Sequence, residues 1–331
     1  MIYSSLFSVD QETHEAMCDF LTTQNKYFQP ESSLERISFH SAKDAHSSET
    51  ILRDGFLLKR KNAKAIVFIL NGFMCTKFES SFIRALLFQD FHVVTFDFRA
   101  HGENIDDCQL CTFGRDEAYD VIAAVNYIKN RPDLKNLPRI GYGFSMGAVA
   151  GIEAQAIDPT LFDMMILDCP YDRSKNVIKK GLENMQFSIC GYSFSLPGKD
   201  LVKQAVFHPL VQMPLKFLLK TVANMDATAI NTYIYPVHPV NSIKKITVPI
   251  FGIHCNNDEK IPVEAAKNLF KNAAGYKRLW ITAGRRHFDS FFYNPEKYAY
   301  KVKKFIKSIL DKSYITKKQQ KITEDKYISA A

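Results

Sequence analysis

Short apolar runs alternate with helical patterns along most of the chain. Six runs are apolar at nearly every position: Ala65–Leu70, His92–Phe96, Arg139–Phe144, Met164–Leu167, Pro249–His254 and Arg278–Thr282. Strands that are apolar on both faces are typical of parallel sheets covered by helices on each side. Before them, Ile37–Phe39 and Phe56–Lys59 predict an antiparallel hairpin.

Between these runs, apolar residues recur three and four positions apart, which predicts helices. The predicted helices are Phe78–Gln89, Phe113–Lys129, one starting near Ala148, Val263–Asn272 and a last one from Tyr298 to Leu310. Strand–helix alternation with right-handed crossovers predicts an α/β fold with a doubly wound sheet.

One interval, Asp172–Val240, interrupts this alternation and is rich in aromatic and apolar residues. We interpret it as a mainly helical cap inserted between two strands. The predicted division is an N-terminal extension at residues 1–32, a core at 33–171 and 241–311, the cap at 172–240, and a polar basic tail at 312–331.

Composition and charge narrow the function classes. The chain has 331 residues, 46% of them hydrophobic and 24% charged, which excludes fibrous, coiled-coil and wholly disordered classes. Of the net charge of +8, residues 301–331 carry +6, with nine Lys against three acidic residues. The core is therefore nearly neutral, and nucleic-acid binding is not favoured. The basic C-terminal region allows weak contact with anionic membrane surfaces, although a solvated helix face is the favoured interpretation.

The cysteines and the N-terminal sequence indicate in which cellular compartment the protein is expected. Seven Cys, an odd number, with Cys108 and Cys111 as a lone C-x-x-C pair, support neither a disulfide framework nor a zinc site. No apolar run reaches about 18 residues, and the N-terminus does not read as a secretory signal. We expect a cytoplasmic protein without metal or cofactor; export by a signal-independent route and the oligomeric state stay open.

The strongest candidate for chemistry is Gly143-Phe144-Ser145-Met146-Gly147, a G-x-S-x-G motif between an apolar strand and a helix of small residues. In such a strand–turn–helix arrangement, the serine hydroxyl projects above the sheet edge and the following helix N-terminus stabilises negative charge. The alternative is a glycine-rich turn with a capping serine. The context favours Ser145 as a nucleophile.

A serine hydroxyl needs a base and the base needs an acid. His287 follows the last apolar strand and is the best candidate for the base. His101 is the alternative base, but a structural role is the favoured interpretation for it. Asp258 follows the strand that ends at His254 and is the best acid. Two other aspartates also end strands: Asp168 is the alternative acid, whereas Asp97 is expected to bind loop backbone.

Two backbone N–H groups are needed to hold an oxyanion. Met146, directly after the nucleophile, provides one. The loop Asn71-Gly72-Phe73-Met74 follows the first buried strand and provides the other, from Phe73 in preference to Met74.

Together these segments resemble the α/β-hydrolase fold serine hydrolases, in particular the esterase, lipase, thioesterase and S33-type peptidase branches. The matching segments are Leu70–Phe73, Phe96–Gly102, Gly143–Gly147, Val248–Asp258 and Gly284–His287. The resemblance implies a mostly parallel eight-stranded sheet with a cap inserted after the sixth strand. Many members have His-Gly where this chain has Asn71-Gly72, and Arg-Gly-His-Gly where it has Ala100, which leaves the subfamily open.

We expect a serine hydrolase that cleaves an ester or thioester of an apolar acyl group. Ser145 would attack, His287 would transfer the proton, Asp258 would orient His287, and Phe73 and Met146 would hold the oxyanion. Two alternatives stay open: an acyltransferase that uses the same triad, and a non-catalytic binding protein on a hydrolase fold. Acyl chain length, ester or amide preference and the physiological substrate are open as well.

Overall fold

The computed structural model describes residues 34–78, 83, 90–104, 110–184, 186–189, 192–195, 208, 210–212, 233 and 235–312. The strands are β1 Glu35–Ala42, β2 Thr50–Leu58, β3 Ile66–Leu70, β4 His92–Phe96, β5 Arg139–Phe144, β6 Met164–Asp168, β7 Gln186–Ile189, β8 Tyr192–Ser195, β9 Ile250–Cys255 and β10 Lys277–Thr282. The helices are α1 Glu117–Lys129, α2 Met146–Ile157, α3 Ser174–Asn184, α4 Pro239–Ser242, α5 Val263–Asn272, α6 Ser290–Tyr293 and α7 Pro295–Leu310.

Eight strands form one sheet in the order β1-β2-β4-β3-β5-β6-β9-β10. β1 pairs antiparallel with β2, and β2 with β4, whereas the six remaining strands of this sheet, β4, β3, β5, β6, β9 and β10, are mutually parallel. The predicted mostly parallel eight-stranded sheet is therefore confirmed. The register aligns Leu70 with Gly143 and Phe144 with Asp168, so the carboxyl ends of the central strands meet at one edge.

Both faces of the sheet are covered, as the fully apolar strands predict. Ile66, Phe68 and Leu70 of β3 pack into one hydrophobic cluster, which includes residues of α1, α2 and α5. Val67 and Ile69 point to the opposite face and pack into a second cluster, which includes residues of α7. Alternate side chains of a strand point to opposite faces, so burial on both sides requires a continuous apolar run.

The helix predicted from Phe113 begins four residues later, at Glu117. Phe113 and Gly114 have positive φ values of 56° and 93°, which cannot continue a right-handed helix. The Glu117 carboxylate accepts hydrogen bonds from the backbone N–H groups of Thr112 and Gly114, each at 2.7 Å. The chain thus turns tightly before α1. Of the helix predicted at Phe78–Gln89, all but residues 78 and 83 lie outside the described residues.

The interval between β6 and β9 leaves the sheet and returns close to its starting point. Ser174 donates its N–H to the Val237 carbonyl at 3.1 Å, and Val240 donates its N–H to that of Asp172 at 3.2 Å. The described part contains α3 and an antiparallel hairpin of β7 and β8, which the sequence did not predict. Most of residues 196–232, the extension at 1–32 and nearly all of the tail lie outside the described residues. The mainly helical cap and the domain boundaries therefore stay predictions.

Within the described part of the chain, no helix is both long enough and apolar enough to cross a membrane.

Candidate active site

Ser145 occupies the single position between strand β5 and helix α2. Its φ and ψ are 48° and −114°, a backbone conformation that is rare for a residue with a side chain. A Cβ added to Gly147 would lie 2.1 Å from the Leu70 carbonyl oxygen, and one added to Gly143 would lie 2.5 Å from the Ala148 Cα. The turn is therefore tight enough to require glycine at both flanks, and it holds Ser145 at the carboxyl edge of the sheet.

His287 lies in the loop between β10 and α6. Its Nε2 is 3.0 Å from the Ser145 Oγ, and its side chain is 14% exposed, so solvent access to the imidazole is restricted. The loop is held by the Asp289 carboxylate, which accepts a hydrogen bond from the backbone N–H of Arg285 at 2.8 Å. The structure thus brings the predicted base within hydrogen-bond distance of the predicted nucleophile.

Asp258 lies in the turn between β9 and α5, with its side chain fully buried. Its Oδ2 is 2.7 Å from Nδ1 of His287, and its Oδ1 accepts the backbone N–H groups of Lys260 and Ile261 at 2.9 and 2.8 Å. Burial opposes ionisation, but the hydrogen bond and charge of His287 and the Ile261 N–H together lower the pKa of the Asp258 carboxyl. The ionised carboxylate therefore favours the His287 tautomer with the proton on Nδ1, which leaves Nε2 free to accept the serine proton.

His101 and Asp97 contact backbone atoms of neighbouring loops and not Ser145 or His287, among the contacts of the described residues. The Nδ1 of His101 is 2.8 Å from the Arg99 carbonyl oxygen, and its ring is buried against Phe73 with centroids 5.8 Å apart. Asp97 accepts the backbone N–H groups of Lys77 and Glu103, at 2.7 and 3.2 Å, and forms an ion pair with the Lys77 ammonium at 2.5 Å. Both residues thus have the structural roles expected of them.

Asp168, the alternative acid, belongs to a separate buried cluster. It accepts a hydrogen bond from the Tyr298 hydroxyl at 2.6 Å, and the Tyr298 hydroxyl is also 2.5 Å from that of Tyr142. Burial raises the pKa of Asp168 to about 6, against the lowering effect of hydrogen bonds from Tyr298 and Cys169. Its carboxylate makes no hydrogen bond to His287 among the described residues, so the geometry favours Asp258 as the partner of the imidazole.

The loop predicted to hold an oxyanion lies directly against Ser145. A Cβ added to Gly72 would be 3.8 Å from the Ser145 Cβ, so the loop that contains Phe73 passes beside the serine. Met146 is the first residue of α2, and the N–H groups of a helix's first turn have no partner within the helix. The assignment of the Phe73 and Met146 N–H groups as the donors that hold an oxyanion stays a prediction.

Sequence reasoning missed an aromatic contact between the two halves of the site. Phe144 precedes Ser145, Phe288 follows His287, and their rings meet edge to face with centroids 4.6 Å apart. Phe288 has a φ of 68°, so the loop turns sharply directly after His287. The only signal in the sequence was that each candidate residue has a phenylalanine beside it.

A group that could hold a metal ion surrounds the acid. Ligand-type atoms of Cys169, His254 and Asp258 lie within 4.8 Å of one another. However, Nε2 of His254 is 2.9 Å from the Ile261 carbonyl oxygen, and both oxygens of Asp258 already accept hydrogen bonds. A cation there would compete with His287 for the Asp258 carboxylate. We therefore interpret Cys169 and His254 as residues that surround Asp258 and not as metal ligands. The expectation that no metal or cofactor is needed stays a prediction.

Comparisons with known proteins agree with this architecture. Residues 61–189, which include Ser145 but neither Asp258 nor His287, match the family described as serine aminopeptidase, S33. The chain is 26% identical over 221 residues to the uncharacterised protein YqkD of Bacillus subtilis, a match that covers 66% of this chain. It spans only 63% of the length of that relative.

Two solved structures extend the likeness to most of the fold. The Pyrococcus furiosus esterase Pf2001 is 20% identical with a TM-score of 0.61, and the match covers 85% of this chain and 96% of the esterase. The acylaminoacyl peptidase of Pyrococcus horikoshii is 14% identical with a TM-score of 0.54, and the match covers 86% of this chain and 42% of the peptidase. At these identities the likeness shows the fold alone.

Proposed function

We propose that this chain, which has the α/β-hydrolase fold, is a serine hydrolase that cleaves carboxylic esters or thioesters of apolar acyl groups. The observation that carries the proposal is the continuous path from Ser145 Oγ to His287 Nε2, at 3.0 Å, and from His287 Nδ1 to Asp258 Oδ2, at 2.7 Å. A nucleophile, a base and an orienting acid in this order are what acyl transfer to serine requires.

In the proposed first half-reaction, the Ser145 oxygen attacks the acyl carbonyl while His287 Nε2 takes the hydroxyl proton. Asp258 stabilises the resulting imidazolium without accepting its proton. The carbonyl oxygen becomes an oxyanion and accepts hydrogen bonds from the Phe73 and Met146 N–H groups. When the carbonyl re-forms, the bond to the leaving alcohol or thiol breaks, and that group takes the proton from His287.

In the second half-reaction, water attacks the acyl-enzyme as His287 Nε2 removes one of its protons. The same two N–H groups hold the second oxyanion. The bond from Ser145 to the acyl carbon then breaks, the serine oxygen regains its proton from His287, and the free acid leaves. The net change is addition of one water across the ester bond, with the enzyme restored.

The preference for an apolar acyl group rests on the surroundings of the serine. In the loop that passes beside the serine, the Phe73 ring packs on that of Phe113 with centroids 4.9 Å apart. Phe144 and Phe288, which contact each other, are the sequence neighbours of Ser145 and His287. Binding pockets are lined mainly by such apolar side chains. We further propose that the insertion at 172–240 forms a cap that completes the acyl pocket. Its closely spaced ends, at Ser174 and Val237, support a separate unit set into the core.

The test is turnover of p-nitrophenyl butyrate by the wild type and by Ser145→Ala. We expect Ser145→Ala to lose at least about a thousandfold in kcat, because the variant lacks the hydroxyl that forms the acyl-enzyme in the proposed reaction. Ser308→Ala, a matched change on α7, should keep the wild-type rate. Equal rates for wild type and Ser145→Ala would remove Ser145 as the nucleophile.

Amide hydrolysis is a second candidate, favoured by the S33 aminopeptidase description of the matching family. The same three side chains can cleave an amide, provided that His287 protonates the departing amine. Aminoacyl p-nitroanilides and p-nitrophenyl esters, compared by kcat/KM on one preparation, separate the two reactions. A higher kcat/KM for the anilides would replace esterase with peptidase as the proposed activity.

A further inference from the structure

A cavity that opens toward solvent lies between α7 and β10. Its volume is about 330 Å³. β10 is the last strand of the sheet on this side. Its lining includes the cations Arg278, Lys301 and Lys304 and the aromatic residues Trp280, Tyr300 and Phe305. We call these six residues the basic pocket.

The basic pocket is separate from the candidate active site. Arg278 is the second residue of β10 and pairs in register with Phe251, the second residue of β9. Ser145 and His287 instead lie beyond the carboxyl ends of the parallel strands. A ligand in the basic pocket would therefore not contact Ser145 or His287, and its binding is independent of the proposed activity.

Cations and aromatic rings are paired within the basic pocket. The Lys301 Nζ lies 5.3 Å from the centre of the Trp280 ring, and the Lys304 Nζ lies 5.2 Å from that of Tyr300. Lys304 also donates a hydrogen bond to the Tyr300 hydroxyl at 3.0 Å. This hydrogen bond and the charges of Lys304 and Lys301 lower the pKa of the Tyr300 phenol, which reflects the positive potential there.

Charge and exposure distinguish the basic pocket from an ordinary solvated helix face. None of its described lining residues is acidic, and α7 carries five Lys and one Glu. Tyr300 is 59% exposed. Tyrosine and tryptophan interleaved with lysine are typical of surfaces that lie at the membrane–water boundary, where rings enter the headgroup layer and cations meet lipid phosphates. In the basic pocket the Tyr300 ring is exposed and the Trp280 ring is half-buried.

We propose that the basic pocket binds the phosphate of an anionic phospholipid and docks the protein on an anionic bilayer. Arg278, Lys301 and Lys304 would contact the headgroup, while Trp280 and Tyr300 would enter the interface beside it. The cavity is open on one side, as a headgroup that remains attached to its bilayer requires.

Segments of this chain are poorer occupants. The basic tail would be repelled, since residues 313–331 carry four Lys and two acidic residues. Residues 1–33 are acidic, with five acidic residues and one Lys, but they enter the described chain before β1, at the opposite edge of the sheet. A salt titration without vesicles tests residues 1–33.

Trp280 is the only tryptophan of the chain, so its fluorescence reports on the basic pocket alone. The experiment mixes full-length protein with vesicles of phosphatidylcholine, with and without phosphatidylglycerol, and measures Trp280 emission and co-sedimentation. We expect a blue shift and co-sedimentation only with phosphatidylglycerol, and loss of both as salt is raised. Unchanged emission with the anionic vesicles would overturn the proposal.

Matched variants separate the basic pocket from general positive charge. Arg278→Gln/Lys301→Gln/Lys304→Gln should lose at least about tenfold in vesicle binding. Lys244→Gln/Lys267→Gln/Lys271→Gln removes three exposed charges elsewhere and should bind nearly as the wild type does. Both variants should keep the wild-type circular dichroism spectrum and melting temperature, which shows that they are folded. Equal losses in the two triple variants would overturn the assignment to this pocket.

Two further arms identify other occupants. Glycerol 1-phosphate in place of vesicles tests a soluble phosphate ester, and salt titration without vesicles tests the acidic N-terminal segment. The proposal expects little change in Trp280 emission in either arm. A full blue shift with glycerol 1-phosphate would replace the bilayer with a small ligand, and a large salt-induced shift would replace it with residues 1–33.

Discussion

The rings of Phe144 and Phe288 meet edge to face, with centroids 4.6 Å apart and planes inclined by 85°. Each ring belongs to the residue beside a candidate catalytic side chain. The contact therefore joins the serine turn to the histidine loop and limits how far His287 can move from Ser145. Pairs of this kind contribute about 0.5–1.5 kcal/mol beyond the area that they bury.

Phe288→Ala should lower kcat about tenfold with a smaller change in KM, since proton transfer depends on closely held geometry. Phe292→Ala is the control, because Phe292 packs on Phe288 and Phe291 but is not the sequence neighbour of a candidate catalytic residue. Steady-state ester kinetics on both variants are the measurement. A loss with Phe292→Ala equal to that with Phe288→Ala would assign the effect to general packing.

Asp258→Asn should reduce kcat by a factor on the order of 10³–10⁴, because the amide can hold His287 in the wrong tautomer. Two controls are available: Glu259→Gln, an exposed neighbour, and Asp168→Asn, the alternative acid. Both should keep kcat within about tenfold of the wild type. If Asp168→Asn were the more damaging change, the acid of the site would be Asp168.

Asp168 should also make stability depend on pH. Its pKa is about 6 in the folded protein, whereas an ordinary Asp titrates near 4. Between about pH 4 and pH 6 the folded state therefore binds more protons than the unfolded state, so this group's contribution to the unfolding free energy falls as pH rises. Asp168→Asn removes that loss.

The measurement is urea unfolding of the wild type and Asp168→Asn across this range. The unfolding free energy of the variant, relative to the wild type, should rise from about pH 4 to about pH 6 and then level off. A difference that does not change with pH would show that Asp168 titrates alike in both states.

The turn around Ser145 is predicted to be intolerant of any side chain at Gly147. Gly147→Ala places a Cβ 2.1 Å from the Leu70 carbonyl oxygen and 2.4 Å from that of Asn71, and backbone cannot move aside cheaply. We expect a loss of about 2–4 kcal/mol of stability together with loss of ester turnover. Gly151→Ala meets the Leu70 side chain at 2.9 Å, which can rotate, so it should cost much less. Thermal unfolding of both variants checks this ranking.

The buried strands were predictable from sequence because burial on both faces demands uninterrupted apolar residues. β4 and β5 begin and end where the apolar runs do. The hairpin of β7 and β8 is not predicted in the same way, since its aromatic residues lie in the interval that we interpret as a mainly helical insertion. Its apolar and polar residues in fact alternate, as in Gln186-Phe187-Ser188-Ile189, which is the period of a strand.

The candidate catalytic residues were predictable because each follows a strand whose carboxyl end lies at the shared edge of the sheet. The contacts that surround these residues were not predictable from the sequence. The Tyr298 hydroxyl reaches Asp168 from a helix 130 positions away in sequence, and the Phe144–Phe288 contact spans a similar interval. Such long-range contacts depend on how the layers pack, and no local pattern records them.

The most direct test of the proposed chemistry is where an active-site-directed fluorophosphonate binds. After reaction with the folded protein and proteolysis, mass spectrometry should find one adduct per chain, on Ser145. Labelling should slow greatly in His287→Ala, whose serine has lost its base. An adduct on another residue, or none on Ser145 in protein that turns over esters, would contradict the account.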